Sequence, residues 1–208
     1  MPDPSTLAAY GVVILGLAVT PGPNMIYLIS RSIAQGRRAG LVSLAGSALG
    51  FLVYMACAAF GITALLATVP YAHDALRLAG ATYLLFLAWS AVRPGGRSPF
   101  QAADLPRTGH RRVFAMGLAT TLLNPKAALL YLALLPQFVV PGHGSVLAQT
   151  LVLGLMHIAL NLVFGIVIAA TAGALAVGLA RRPSWMRAQR WLMGGLLGAF
   201  AAKLMAEV

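Results

Sequence analysis

Few side chains in this sequence can do chemistry, and the most telling of them stand beside prolines. Asn24 ends the run Thr20-Pro21-Gly22-Pro23-Asn24, and Asn124 opens Asn124-Pro125-Lys126 in the second half of the chain. A proline within a helix has no N–H and crowds the carbonyl four residues earlier. Pro21, Pro23 and Pro125 are therefore predicted to free the carbonyls of Leu17, Val19 and Thr121, while Gly22 lets the backbone bend sharply. Each break thus combines unpaired carbonyls with an asparagine amide that both donates and accepts. Lys126 adds a cation suited to a carboxylate. This is the chemistry of holding a small zwitterion: carbonyls for an ammonium, asparagines for hydrogen bonds, lysine for the carboxylate.

Thr20, Pro21, Gly22, Pro23, Asn24, Asn124, Pro125 and Lys126 are accordingly the candidate substrate-binding residues. His157 and Asn161 lie four residues apart and share one helical face. They form either an interhelical hydrogen-bond cluster or part of a polar pathway. An imidazole ordinarily titrates near neutrality, so His157, with Asn161 beside it, is a candidate for proton coupling. No catalytic residue, metal site or cofactor motif is found: His-Glu-x-x-His, Gly-x-Ser-x-Gly and a phosphate-cradling glycine loop are all missing.

The elements that must position these groups are membrane helices. The chain has 208 residues, of which 60% are hydrophobic and 9% charged, with a mean hydropathy of +0.84. Its apolar runs reach the roughly 20 residues that a hydrocarbon core of about 30 Å requires. Six predicted spans lie near Ser5–Ile29, Ala39–Val69, Ala75–Val92, Val113–Leu135, Ser145–Ala180 and Trp191–Ala206. The second and fifth exceed one crossing, so they should tilt, bend or project. Both breaks interrupt a span, the first and the fourth. Unpaired carbonyls there cannot face lipid, and a charge such as Lys126 near the bilayer centre costs about 3 kcal/mol. Its alternative is to snorkel outward along its four-carbon stem.

The formal charge of +11 comes mostly from three short polar stretches. They hold Arg31, Arg37 and Arg38; Arg93, Arg97, Arg107, Arg111 and Arg112; and Arg181, Arg182, Arg187 and Arg190. Basic residues gathered between apolar spans are the positive-inside signal, which places these loops in the cytoplasm and both termini outside. No aromatic-interleaved basic surface exists for nucleic acid. The acidic residues Asp3, Asp74, Asp104 and Glu207 all fall in loops or at the ends, which excludes a carboxylate pair within the membrane. Leu7–Val19 resembles a signal-peptide core but lacks a preceding basic residue and a following small-x-small site, so it reads as a retained first helix. Cys57 reads as a small packing residue, Gly40, Gly46, Gly50 and Gly61 as marks of close helix contact, Arg77 as an interfacial anchor, and Trp89, Trp185 and Trp191 as interfacial belt residues.

Gly16-Leu17-Ala18-Val19-Thr20 is echoed by Gly117-Leu118-Ala119-Thr120-Thr121, and each run leads into a proline break. Gly80 and Phe86 in the third span are echoed more weakly by Gly194 and Phe200 in the sixth. Two duplicated halves, about 5–92 and 113–206, of three helices each must be inverted relative to one another. Inverted repeats with interrupted helices in matching places point to a secondary transporter. The expectation is one six-helix domain over 1–208, all-α, in contact with the bilayer and a small-molecule substrate, and not an enzyme. A membrane-embedded enzyme acting on a lipid-like substrate would need a buried nucleophile or metal cluster. A non-transporting assembly subunit would not need matched breaks.

At these motifs the chain resembles the LysE/RhtB family of amino-acid exporters. The resemblance spans nearly the whole chain and rests on Thr20-Pro21-Gly22-Pro23-Asn24, Gln35-Gly36-x-x-x-Gly40, Leu76-x-x-x-Gly80-x-x-Tyr83-Leu84, and Asn124-Pro125-Lys126 followed by Pro136-Gln137-Phe138. It implies a six-helix carrier of the bacterial inner membrane, often a homodimer, that expels lysine, arginine, threonine, homoserine or cysteine-like compounds on the proton gradient. Many relatives have an aspartate where Asn161 stands here. That departure takes an acidic group away from both coupling and the recognition of a basic side chain.

Overall fold

Prolines set the boundaries of the first helices. In a computed structural model the described residues are 1–19, 22–68, 107–140 and 142–171, with isolated positions between 78 and 89 and between 184 and 205. Helix α1 spans Pro4–Val19 and α2 spans Pro23–Gln35. Pro23 sits in the first turn of α2, where its missing N–H has no intrahelical partner to lose. Asp3 caps α1: its carboxylate accepts from Thr6 N at 2.7 Å and from the Ser5 hydroxyl at 2.8 Å. These bonds favour the charged form and hold Asp3 below its ordinary pKa. Gly36, at φ 85°, ends α2 in a conformation that glycine alone adopts freely, and the chain turns at once into α3, Arg37–Thr68.

The second half repeats the device. Helix α4 spans His110–Leu122 and α5 spans Pro125–Leu129, with Pro125 again in the first turn. Asn124 caps α5 by accepting Lys126 N–H at 3.0 Å. A π turn, Leu130–Leu134, and a 3-10 turn, Leu135–Phe138, continue α5 before α6, Val146–Ala170. Ser145 caps α6 through Ala148 N.

The regular elements among the described residues are all helical, with no strand. Among the described residues two stretches, Arg37–Gly61 and Val146–Ala170, are long and apolar enough to cross a membrane. Pro4–Ala18 meets Pro23–Gln35 at 55°, and His110–Leu122 meets Lys126–Phe138 at 54°; counted as one span each, these raise the total to four. The expected third and sixth spans, Arg77, Trp185, and the loop from 93 to 106 lie outside the described residues, apart from isolated positions. Trp89 and Trp191 are among those positions and are exposed.

Helix α3 is the central packing surface, lying along α4 and α6. Its buried stripe, Phe51, Met55 and Ala58, joins Tyr10, Ile14, Tyr131, Leu134 and Leu153 in the main core. Cys57 falls on the opposite stripe with Leu49, Val53 and Phe60, so it is exposed and does not pack inside. Small residues let α3 and α4 touch through their backbones. A Cβ at Gly46 would strike the Phe114 carbonyl, and one at Gly117 would strike the Ser43 carbonyl. At Gly61, by contrast, no atom of the described residues lies within 4 Å of an added Cβ. Gly46→Val should therefore lower the melting temperature of the solubilised protein by several degrees, an overpacking cost of about 1–3 kcal/mol. Gly61→Ala, measured alongside, should not lower it.

Candidate functional site

Both proline breaks open on one cavity. It holds about 70 Å3, several times the roughly 10–15 Å3 that one water needs. Leu17 and Ala18 from the end of α1, Gly22 and Asn24 from the first break, and Asn124 and Lys126 from the second all line it. Phe51 of α3 and His157 and Asn161 of α6 close the far wall. Six candidates from the sequence, Gly22, Asn24, Asn124, Lys126, His157 and Asn161, thus share one space. Pro23 is exposed and does not line it, and Pro125 serves to start α5. Thr20 and Pro21 lie outside the described residues.

Lys126 turns inward and does not snorkel. Its Nζ donates to the carbonyl oxygen of Leu17 at 2.7 Å, across from α5 to the last turn of α1. Leu17 is one of the carbonyls that a proline at position 21 was predicted to free, and the partner it meets is the protein's own ammonium. The Thr121 carbonyl behaves differently from expectation. Asn124 N–H bonds back to it at 3.1 Å, because the chain tightens into a turn before Pro125. At the neighbouring position Tyr54 Oη donates to the Leu122 carbonyl at 2.7 Å.

The two asparagines also differ. Asn124 is buried and its oxygen accepts from Lys126 N–H, which caps the start of α5. Asn24 Nδ2 donates to Thr121 Oγ1 at 3.1 Å, linking the first break to the end of α4. Its Oδ1 is buried with no hydrogen-bond partner among the described residues. An unmet buried acceptor costs about 1–3 kcal/mol.

On α6, His157 Nδ1 lies 2.8 Å from Tyr131 Oη. The imidazole packs edge-on against Phe51 at 4.8 Å and against the Tyr131 ring at 5.2 Å. Asn161 Nδ2 donates to the His157 carbonyl at 3.3 Å, so the pair is joined along its own helix while both side chains reach the cavity. Tyr131, fully buried in the π turn, was missed from sequence. The signal available was a phenol hydroxyl inside an apolar span, which must find a partner there.

At one end of the helices Met1 N donates to the His143 carbonyl at 3.0 Å. At the other, Arg31 bonds Tyr27 and Gln35, and Gln35 Nε2 donates to the Thr108 carbonyl at 2.9 Å. The cavity lies between these two polar ends.

Comparison with known proteins agrees with the motifs. The chain matches the family described as LysE type translocator over residues 15–208. It is 30% identical over 189 residues to a homoserine/homoserine lactone efflux protein of Salmonella typhimurium, covering 90% of each chain. It is 28% identical over 191 residues to an uncharacterized membrane protein of Escherichia coli K12, covering 90% of this chain and 83% of that one. An uncharacterized membrane protein of Pseudomonas aeruginosa is 27% identical over 197 residues, covering 93% and 88%. No solved structure matches the chain. A family match over nearly the full length, on a chain with membrane-capable helices, identifies this protein as a multi-pass membrane protein that belongs to the LysE type translocator family.

Proposed function

We propose that the chain is a secondary exporter of amino acids, or of related small polar metabolites such as homoserine, working by alternating access across the bacterial inner membrane. The observation that carries this reading is Lys126 held on the Leu17 carbonyl inside a cavity shared by both breaks. A zwitterion replaces that internal contact with two better ones. Its carboxylate takes the Lys126 ammonium, and its own ammonium takes the released Leu17 carbonyl and the unmet Asn24 oxygen. The near-equal bends of 55° and 54° support two inverted three-helix halves whose first helices are each broken. A panel of the twenty amino acids and homoserine, scored for efflux from dipeptide-loaded cells with and without overexpression, tests the reading. Enhanced efflux of one or a few is expected, and unchanged efflux of all would refute it.

Among the described residues the cavity lining carries no carboxylate, which favours neutral substrates over those with a second cation. It also leaves His157 as the coupling candidate, with Asn161 beside it. Once the substrate carboxylate neutralises Lys126, the imidazole can take a second proton at Nδ1, with the Tyr131 hydroxyl turning from donor to acceptor. In proteoliposomes an imposed pH gradient should speed wild-type efflux, and His157→Gln should lose that acceleration. An unaltered pH response in the variant would remove the histidine from coupling.

The grouping of Met1 with His143, and of Arg31 and Gln35 with Thr108, supports the orientation that the arginines predict. In a Cys57→Ala background, an impermeant maleimide applied to intact cells should label a cysteine placed at His143 but not one at Arg107. The reverse pattern would invert the topology.

A further inference from the structure

We propose that Tyr131 is a positioning residue: its hydroxyl donates to His157 Nδ1 and fixes the ring as the neutral tautomer that offers an Nε2–H donor to the cavity. The group this donor takes is an oxygen of the substrate's carboxyl or ester function. The inference rests on the cavity being the substrate site, and it adds a specific donor and the residue that sets it.

Three observations support the assignment. Tyr131 is fully buried and does not line the cavity, so its hydroxyl hydrogen needs an acceptor within the protein. Among the described residues the acceptor within reach is His157 Nδ1 at 2.8 Å. If instead Nδ1–H donated to the phenol, the phenol hydrogen would be buried unpaired, at about 1–3 kcal/mol. Next, the phenol has little freedom to turn away. Its ring stacks on Tyr54 at 5.8 Å and 12°, and Tyr54 is tied to the Leu122 carbonyl. Finally, His157 lines the cavity while its Nδ1 is spent on Tyr131. The ring nitrogen left to serve the cavity is therefore Nε2. In a neutral imidazole with Nδ1 accepting, Nε2 carries the proton. A doubly protonated ring would place a second cation beside Lys126 in a cavity that no carboxylate lines among the described residues.

The donor reaches the same cavity as the Lys126 ammonium, and the two differ in use. The ammonium favours a full carboxylate, whereas a neutral N–H also serves an ester carbonyl, which carries no charge. Tyr131 would thereby help one site accept both a free acid and its cyclic ester.

The test has two arms. Nitrogen-15 spectra of histidine-labelled protein in bilayers, with His157 assigned by difference from His157→Gln, report the tautomer directly. The wild type should show His157 neutral and protonated at Nε2, and Tyr131→Phe should show a mixture of tautomers. A wild-type ring protonated at Nδ1, or at both nitrogens, would overturn the proposal. In inside-out vesicles with labelled L-homoserine as probe, Tyr131→Phe should raise KM about tenfold with the maximal rate largely kept, the size of one oriented hydrogen bond. In a His157→Gln background, adding Tyr131→Phe should cost nothing further, because the phenol acts only through the imidazole. Additive losses would show a packing role and overturn the proposal. If wild-type vesicles move no homoserine, the exporter reading fails for that probe, and the nitrogen spectra still decide the tautomer.

Discussion

Lys126→Met should reduce export to the level of cells lacking the protein, a loss of about 100-fold or more, while the chain still reaches the membrane. Methionine keeps most of the length of the lysine stem and removes only the ammonium, so packing around Ala127 and Leu130 is largely preserved. What disappears is the donor that Leu17 O accepts at 2.7 Å and the cation that meets a substrate carboxylate. Removing one partner of a buried, hydrogen-bonded charge pair costs roughly 2–5 kcal/mol, and about 3 kcal/mol corresponds to a hundredfold loss. Lys126→Arg should not restore transport. A guanidinium is planar and wider than an ammonium, and the cavity of about 70 Å3 leaves little room for it beside a substrate. Efflux and membrane abundance measured together check the result. Normal efflux from Lys126→Met would mean that the lysine serves only to hold α1 against α5.

Asn124→Ala should also cripple export, but through geometry. The Asn124 side chain caps α5 on Lys126 N–H at 3.0 Å, so it fixes the direction in which the lysine leaves the break. Loss of such a cap costs about 1 kcal/mol of stability, and a displacement near 1 Å at a reacting or binding group can cost a hundredfold in rate. Serine is also a strong cap, so Asn124→Ser should recover much of the activity that alanine loses. Initial efflux rates of the three proteins, normalised to the amount in the membrane, make the comparison. Equal failure of alanine and serine would shift Asn124 from cap to direct substrate ligand.

The sequence carried the parts of this site that depend on chain-local physics. Proline removes a hydrogen bond wherever it stands, so an interruption at Pro21–Pro23 and at Pro125 is an expectation that needs no tertiary information, and Pro23 and Pro125 stand in the first turns of α2 and α5. The four-residue spacing of His157 and Asn161 likewise required one face of one helix. Tertiary partners were not legible. Nothing local shows that Lys126 crosses to Leu17 O, since that depends on how α5 lies against α1. Thr121 O was predicted free from the proline rule, yet the turn before Pro125 gives it Asn124 N–H. Tyr131 was missed because its partner, His157, comes from another helix, and nothing local to the π turn Leu130–Leu134 announces that contact. Cys57 failed for a related reason: in a membrane helix both the buried and the lipid-facing stripe are apolar, so composition does not tell them apart.

Counterflow in proteoliposomes tests the central claim most directly, because it needs only the purified chain and no coupling ion. Vesicles loaded with unlabelled L-homoserine, or with any substrate found by the efflux panel, should transiently accumulate the labelled compound from outside. The wild-type protein should give that overshoot, and Lys126→Met should give none. A correctly folded wild type that shows no counterflow for homoserine or any of the twenty amino acids, or a Lys126→Met protein that matches it, would contradict an amino-acid export site at the two breaks.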